Sequence, residues 1–245
     1  MELIKANIDI NCDVGEGIGN ESELFKYITS CNIACGGHSG SIKSMNEVVE
    51  LALQYGVKIG AHPSYPDREN FGRKSVKMEH GELRTAIETQ LYRFEQVAQR
   101  NGATFHHIKA HGALYNDLSG NETLSDIYLQ CVEPFRNQAV LFAPCGSNFA
   151  VKARAMDFRV WEEAFADRRY CSDGSLASRA LPGAVIEEPH AVWEQLYSIV
   201  WKKSIPTIDG GFFSLNAATC CVHGDTKGAS EILAYVSSEL KKIYQ

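Results

Sequence analysis

The sequence lacks the features of membrane proteins, nucleic-acid-binding proteins and P-loop proteins. It contains no apolar run of the roughly 20 residues that a membrane helix needs, and its N-terminus lacks the basic and apolar regions of a signal peptide. The net charge is -6 and the basic residues are scattered, which disfavours nucleic acid or an anionic membrane as a partner. The motif G-x-x-x-x-G-K-S/T does not occur, so no P-loop is predicted. We therefore expect a cytoplasmic protein that has neither nucleic acid nor a membrane as a partner.

The eight cysteines are placed for burial rather than for disulfides. Most of them lie in or beside apolar strand-like runs, and no Cys-x-x-Cys pair occurs. Cys35 and His38 have the spacing of half a zinc site, but no second half follows, so structural zinc is disfavoured. Reduced, buried thiols are the predicted state.

Strand-like segments alternate with amphipathic helical segments along the whole chain, without a linker or a low-complexity run. The predicted strands are 7–13, 31–37, 57–61, the start of 105–116, 139–144, 158–165 and 218–222. The predicted helices are 21–27, 44–55, 79–100, 122–132, 147–156, 192–201 and 227–243, with Ser44 capping the second helix and Gly56 ending it. This alternation predicts parallel strands with right-handed crossovers, in one domain that spans residues 1–245.

Three further segments interrupt the alternation. A hairpin is predicted at 205–215, turning at Asp209-Gly210-Gly211. The polar stretch 64–78 combines aromatic residues with arginines and is predicted to be an ordered lid or substrate loop. The stretch 171–189 is either a loop that contacts a ligand, with Ser172, Asp173, Gly174 and Arg179 as the candidate contacts, or a plain surface excursion.

Polar residues follow nearly every predicted strand. His38, His62, His111 and His223 each stand at a strand exit beside glycine or proline. A barrel gathers all its strand ends on one rim, so the pattern predicts a closed or nearly closed β/α barrel. A doubly wound open sheet is the rival architecture, but it joins only the strand ends near its switch point and leaves several of these histidines without a role.

The stretch 105–116, which reads FHHIKAHGALYN, carries the strongest form of this pattern. Lys109 and His111 are two residues apart, so on a strand their side chains point to the same side. Gly112 then breaks the strand. Because at least four other segments run the same way, a functional site is favoured over chance.

The candidate residues of this rim are Asp13, Glu16, His38, His62, Lys109, His111, Glu163, Asp167, Arg168, His223 and Asp225. Three chemistries fit them. One carboxylate and two imidazoles could hold a divalent metal ion. Histidine or aspartate could instead act as a general base on free water, with Lys109 stabilising an oxyanion. The rim could also bind a small anion without catalysis.

The chain resembles the LamB/YcsF family over essentially its whole length. The matching motifs are DINCDVGEG (9–17), SCNIACGGH (30–38), VKIGAHPSYPD (57–67), FGRK (71–74), IKAHGALYN (108–116), EAFADRRY (163–170), SDGSLASR (172–179) and CCVHGD (220–225). So many ordered matches are more specific than any single motif. The family usually has Phe, Pro and Asp where this chain has Gly37, Ala110 and Ser41, so a change in packing or rim shape is expected at the first two.

The resemblance implies an irregular seven-stranded parallel β/α barrel, akin to glycoside hydrolase and deacetylase barrels. Characterised bacterial members of the family are the A subunit of an ATP-dependent 5-oxoprolinase. The resemblance therefore implies that the chain helps to open the lactam of 5-oxo-L-proline to L-glutamate, with ATP as co-substrate and with two partner subunits, B and C.

The resemblance also implies roles at the rim. Asp13, His62 and His111 are similar to the metal-binding trio of related deacetylase barrels, so a divalent metal ion could bind there. Lys109 and His111 would polarise or protonate the lactam, while Asp13 and His62 would position water or metal. These four are the predicted catalytic residues. The predicted substrate-binding residues are Glu16, His38, Arg73, Asn116, Asp167, Arg168, His223 and Asp225.

Within that second set, Arg73, Arg168 and His223 would hold the substrate carboxylate or a phosphate. Two other hypotheses stay open. The chain could be a stand-alone metal-dependent hydrolase or deacetylase of amide, N-acyl or carbohydrate substrates. It could also be a non-catalytic subunit that delivers 5-oxoproline to its partners.

Overall fold

The computed structural model of the protein describes residues 8–244. Residue 7, with which the predicted first strand begins, lies outside the described residues. All eight cysteines lie inside them and are free thiols, which confirms the prediction of reduced cysteines.

Within residues 8–244, seven parallel strands close into a barrel in the order β1-β2-β3-β4-β5-β6-β9. The strands are β1 (Asp9–Val14), β2 (Ser30–Ala34), β3 (Lys58–His62), β4 (Phe105–Lys109), β5 (Val140–Pro144), β6 (Val160–Phe165), the antiparallel hairpin β7 (Ser204–Pro206) and β8 (Phe212–Ser214), and β9 (Thr219–Cys221). Strand β9 pairs with both β1 and β6, so the sheet has no open edge. The predicted closed barrel is confirmed and the open sheet is wrong.

Helices cover the outside of the barrel. They are α1 (Glu21–Leu24), α2 (Ile42–Tyr55), α3 (His80–Arg100), α4 (Gly112–Gly120), α5 (Glu122–Val132), α6 (Asn148–Ala155), α7 (Pro189–Tyr197) and α8 (Ala229–Tyr244). Helix α4 was not among the predicted helices, because glycine at both of its ends obscured an apolar stripe that includes Leu114 and Leu118. No helix among the described residues combines the length and apolar character that crossing a membrane requires.

Helix α2 starts earlier than predicted. Ser41 is its N-cap and accepts from the Ser44 backbone N–H at 3.1 Å, while the Ser44 side chain accepts from the Ser41 N–H at 2.8 Å. The two serines form a reciprocal capping box, so Ser44 as the cap was wrong. Gly56 ends the helix in the left-handed conformation, as predicted.

A polar layer crosses the barrel interior below the rim. Asn11 Nδ2 donates to Thr219 Oγ1 at 2.8 Å, and Asn32 Nδ2 donates to Asn11 Oδ1 at 2.7 Å. His107 Nε2 lies 2.8 Å from Asn32 Oδ1, and its ring stacks on Phe142 at 4.2 Å. Because buried polar groups cost free energy unless they are paired, this layer fixes the order of side chains inside the barrel.

A substitution at Gly60 would test this packing. A Cβ at Gly60 would overlap the His107 imidazole, which its partners prevent from moving. We expect Gly60→Ala to lower the free energy of unfolding by about 1–3 kcal/mol, the usual cost of overpacking, as measured by urea denaturation. The matched control is Gly81→Ala, where an added Cβ meets nothing within 4 Å and stability should hold or rise. An equal effect of the two substitutions would contradict this packing.

A candidate active site at the barrel rim

A cavity of about 360 Å³ opens where the barrel strands end. The predicted site residues that line it are Asp13, His62, Arg73, Lys109, His111, Asn116, Arg168 and His223. Five other candidates do not line the cavity, but each contacts a residue that does: Glu16, His38, Glu163, Asp167 and Asp225. The structure thus gathers the candidates from all around the rim into one cavity and its supporting layer.

Lys109 is the centre of the supporting layer. Its Nζ lies 3.0 Å from Asp13 Oδ1, 2.9 Å from Glu163 Oε1, and 3.3 Å from both Asn11 Oδ1 and Cys221 Sγ. Burial alone would lower the pKa of Lys109, but chiefly Asp13, followed by Cys221 and Glu163, holds that pKa well above its usual value. The ammonium group is therefore charged and already surrounded by acceptors, so it can donate to a ligand only by giving up one of them.

Asp13 is ionised for the matching reason. Burial alone would raise the pKa of Asp13, but His62 and Lys109 hold it well below its usual range. Asn32 Nδ2 also donates to Asp13 Oδ1, at 2.8 Å. Three groups thus fix one carboxylate oxygen at the bottom of the cavity.

His62 and His111 face each other with defined tautomers. The His62 Nδ1 atom lies 2.8 Å from the Lys109 carbonyl oxygen, and His111 Nε2 lies 2.9 Å from the Phe71 carbonyl oxygen. Because a carbonyl oxygen only accepts, both of these nitrogens carry hydrogen and donate. The remaining nitrogens, His62 Nε2 and His111 Nδ1, lie 3.0 Å apart. Two neutral rings would point lone pairs at each other there, so the arrangement calls for a proton or a metal ion between them.

Two carboxylates complete this group. Asp13 Oδ1 lies 3.4 Å from His62 Nε2, and Glu16 Oε1 lies 3.5 Å from His111 Nδ1. One ligand atom from each of the four residues lies within 4.8 Å of all the others. Imidazoles that donate their second N–H to backbone carbonyls are typical of metal ligands. The structure therefore fits the predicted metal trio of Asp13, His62 and His111 and adds Glu16 to it.

Glu16 and His38 form a pair beside these imidazoles. His38 Nε2 lies 3.0 Å from Glu16 Oε1, and the His38 ring stacks on His111 at 3.6 Å. Burial and the nearby Asp13 charge raise the pKa of Glu16 to about 7. Burial and His62 hold the pKa of His38 well below its usual value. The raised pKa of Glu16 and the lowered pKa of His38 both disfavour a charged pair, and the His38 ring supports the His111 ring by stacking.

The prediction that Lys109 and His111 lie together on one strand was wrong. Strand β4 ends at Lys109, and His111 lies beyond it as the N-cap of α4. Both residues line the cavity, but Lys109 points into the barrel network while His111 meets the loop after β3.

That loop approaches closely through glycine. Gly72 and Gly112 have φ values of +63° and +57°, and a Cβ on Gly112 would overlap the Gly72 carbonyl oxygen. The Ala113 N–H donates to this same oxygen at 2.9 Å. Phe71 also takes a positive φ of 55°, a conformation that costs a residue other than glycine energy. The strained turn places the Phe71 carbonyl where His111 needs an acceptor.

Two further ion pairs stand at the cavity, and each includes one residue of its lining. The Asp167 carboxylate accepts from the His223 backbone N–H at 2.9 Å, and His223 Nδ1 lies 2.9 Å from Asp167 Oδ1. Arg73 forms an ion pair with Asp225. Asn116 lines the cavity from α4.

Sequence reasoning did not select Tyr115 and Phe165, and it named Arg179 only as a possible ligand contact. All three line the cavity. Tyr115 lies on α4, so recognising the period of that helix could have found it. Phe165 ends β6 and its ring stacks on His223 at 5.3 Å, a contact that an apolar residue at a strand end does not reveal in the sequence. Arg179 enters from the irregular segment 171–189, whose path no periodic pattern records.

Known proteins resemble this chain over nearly its full length. The model of the LamB/YcsF family matches residues 8–244. The A subunit of 5-oxoprolinase from Acinetobacter baumannii (strain ACICU) is 38% identical over 240 residues, which cover 96% of this chain and 94% of that protein.

Solved structures show the same architecture. The crystal structure of the lactam utilization protein from Thermus thermophilus is 31% identical, covers 97% of both chains and superposes with a TM-score of 0.89. A GH113 β-1,4-mannanase covers 98% of both chains with a TM-score of 0.53 and 10% identity. The mannanase shows a shared barrel fold alone.

The pairing of Asp167 predicts how stability depends on pH. Burial alone would raise the pKa of Asp167, but His223 and Thr226 hold it lowered to about 2, against a usual value of 3.8. A lowered carboxyl pKa stabilises the fold above the unfolded pKa, and the stabilisation is lost as pH falls through the folded pKa.

We therefore expect Asp167→Asn to lower the free energy of unfolding by about 2 kcal/mol at pH 7. This difference from wild type should shrink between about pH 4 and pH 2, the interval between the unfolded and folded pKa values, and urea denaturation at stepped pH measures it. The exposed Glu47→Gln is the control. A difference that stays constant throughout that interval would argue against an ionised, paired Asp167.

Proposed function

The chain belongs to the LamB/YcsF family, and from this membership we propose that it is the A subunit of an ATP-dependent 5-oxoprolinase. Its reaction would be the hydrolysis of the cyclic amide of 5-oxo-L-proline to L-glutamate. The similarity to a 5-oxoprolinase component over nearly the whole chain carries this proposal. The polar cavity supports it, because an imidazole pair, carboxylates and a buried ammonium group suit amide hydrolysis.

The imidazole pair is assigned the proton transfers. In the reaction, the water oxygen bonds to the lactam carbonyl carbon, the ring C–N bond breaks, and the nitrogen gains a proton. Burial, together with His38 and His62, holds the pKa of His111 well below its usual value, so this ring is a neutral base at pH 7. His62 and His111 would take the water proton and return a proton to the leaving nitrogen.

Lys109 and Asp13 are assigned an electrostatic role. Because its acceptors surround Lys109, we assign it to holding Asp13 ionised and oriented rather than to donating a proton to the lactam. Asp13 in turn would orient His62, whose Nε2 lies 3.4 Å away.

A divalent cation held by Asp13, Glu16, His62 and His111 would take the place of the proton between the two imidazoles, which would then serve as ligands rather than as bases, and it would supply Lewis acidity that polarises the lactam carbonyl. Two imidazoles and two carboxylates are a donor set that suits Zn²⁺ or Mn²⁺.

ATP coupling is assigned to the complex with the B and C subunits. A five-membered lactam is a stable amide, so its carbonyl needs activation before water attacks. The chain has no P-loop, and we therefore propose that phosphoryl transfer from ATP depends on these partners, with this chain supplying the rim where the lactam opens.

The catalytic assignment is tested in the reconstituted three-subunit complex. We expect His111→Ala to lower ATP-dependent glutamate release by about 10²-fold or more, as loss of an acid-base group does, and Asp13→Asn to lower it to a similar extent, because it removes the charge that orients His62. His190→Ala is the control, because this histidine is exposed on α7. Full activity of either rim variant would contradict the catalytic roles proposed for His111 and Asp13. It would favour instead a non-catalytic subunit that delivers 5-oxoproline to its partners.

The four-residue metal group supports a second candidate function, a metal-dependent amide hydrolase that acts without partners. Under that function, the isolated chain with Zn²⁺ or Mn²⁺ hydrolyses amide or N-acyl substrates without ATP. Under either function we expect about one divalent ion per chain by elemental analysis, and loss of that ion in His62→Ala but not in His190→Ala. A metal content unchanged in His62→Ala would exclude the ligand set.

A further inference from the structure

Arg168 is a nearly buried cation without an acidic partner. It is 7% exposed and lines the cavity. One guanidinium nitrogen donates to the Ala177 carbonyl at 2.7 Å, while the buried Nε has no hydrogen-bond partner. Among the described residues, no carboxylate forms an ion pair with it. A buried charge that is neither paired nor fully hydrogen-bonded is costly, so an anionic group of a ligand would stabilise Arg168 here.

The two carboxylates on this side of the cavity are committed elsewhere. Asp167, next in sequence, accepts from His223 and from Thr226 Oγ1. Asp225 pairs with Arg73. Burial and the charge of Arg179 lower the pKa of Arg168 to about 10, which still leaves the guanidinium charged at neutral pH.

Arg179 brings a second guanidinium to the same cavity. It reaches the lining from the segment 171–189, and its Nη2 lies 3.7 Å from Asp225 Oδ1. That distance is too long for a hydrogen bond, so this ion pair does not satisfy the donors of Arg179. Arg168 thus brings a buried Nε without a partner to the cavity, and Arg179 adds a partly exposed guanidinium that is only loosely paired.

Positive charge exceeds negative charge among the three arginines of this cavity. Lys109 is paired with Asp13 and Glu163, and Asp167 is paired with His223. Among the described residues, Asp225 is the one carboxylate within ion-pair distance of these arginines, at Arg73 and Arg179, and Arg168 has none. This excess matches a ligand that carries an anionic group.

We propose that Arg168 and Arg179 bind a carboxylate of the ligand, so that the cavity accepts anionic lactams and excludes neutral lactams of the same ring. The identity of the lactam rests on the proposed function, whereas the need for an anion rests on the cavity. A guanidinium fork matches carboxylate geometry with two parallel hydrogen bonds. A neutral lactam would leave the buried Arg168 unpaired, and sites that bury unpaired polar groups discriminate strongly.

Calorimetry on the full chain tests this with four probes. They are 5-oxo-L-proline, 2-pyrrolidone (the same ring without the carboxylate), L-proline (the carboxylate without the lactam) and inorganic phosphate. We expect 5-oxo-L-proline to bind at least about 30-fold more tightly than 2-pyrrolidone, and that ratio to fall below about threefold in Arg168→Gln or in Arg179→Gln, because hydrogen bonds to charged groups are among the strongest in proteins.

Arg169→Gln is the matched control. It is the neighbour of Arg168, but its guanidinium donates to Gln195 at 3.0 Å on α7, and it is absent from the cavity lining. Arg168→Lys keeps the charge and loses the fork, so partial recovery there separates recognition from folding. Arg179→Gln gives a second route if Arg168→Gln fails to fold, because Arg179 lies on a partly exposed segment.

Three outcomes would overturn the proposal. They are equal affinity of the wild type for 5-oxo-L-proline and 2-pyrrolidone, no binding of any carboxylate probe, and phosphate binding that the arginine variants lose while 5-oxo-L-proline binding stays unchanged. The glutamate-release assay separates this proposal from the proposed function. If carboxylate binding requires the arginines but the complex releases no glutamate, the anion subsite is supported and the proposed function is excluded. If Arg168→Gln and Arg179→Gln both release glutamate at the normal rate, the proposed function is supported and the anion subsite is excluded.

Discussion

The buried ammonium group of Lys109 is the interaction on which the rest of the site depends. It joins Asp13 on β1, Glu163 on β6 and Cys221 on β9 at the exit of its own strand, β4. Removing one partner from such a buried ion pair typically costs about 3–5 kcal/mol, because the remaining charge is left uncompensated. The charge of Lys109 therefore links four strands of the barrel. It also fixes the Asp13 carboxylate, which faces the imidazole pair.

The two imidazoles depend on backbone positions far apart in sequence. The acceptor of His62 is the carbonyl of Lys109, and the acceptor of His111 is the carbonyl of Phe71. Each ring is thus oriented by a main-chain group rather than by a side chain that could rotate away. Because the Phe71 carbonyl belongs to the loop after β3, the conformation of that loop decides the tautomer of His111. Loop and catalytic candidates therefore form one unit.

The barrel could be predicted from the sequence because nearly every strand exit carries a polar residue, and only closure explains so many exits. The four histidines on this rim illustrate the limit of that reasoning. Spacing placed them near one another, but it did not separate His38, which stacks behind His111, from those that line the cavity. Arg179 shows the same limit. Its place depends on the path of an irregular segment, which tertiary contacts fix rather than any periodic pattern. Gly37 departs from the residue usual in the family, and packing explains why. A Cβ at Gly37 would overlap the side chains of Ser64 and Gln90, so the amide of Gln90 on α3 occupies the space that a larger side chain would need.

The ion pairs of Asp225 have a consequence for how the cavity responds to its surroundings. They join the loops after β3, β6 and β9 through side chains that are 22–36% exposed, whereas the Lys109 pairs are at most 6% exposed. Mobile ions screen the first group over a Debye length of about 8 Å at physiological salt and barely reach the second. Ionic strength therefore weakens the ion pairs of Asp225 and leaves those of Lys109 unchanged. The rate at which a ligand enters the cavity should accordingly depend on the salt concentration of the solution.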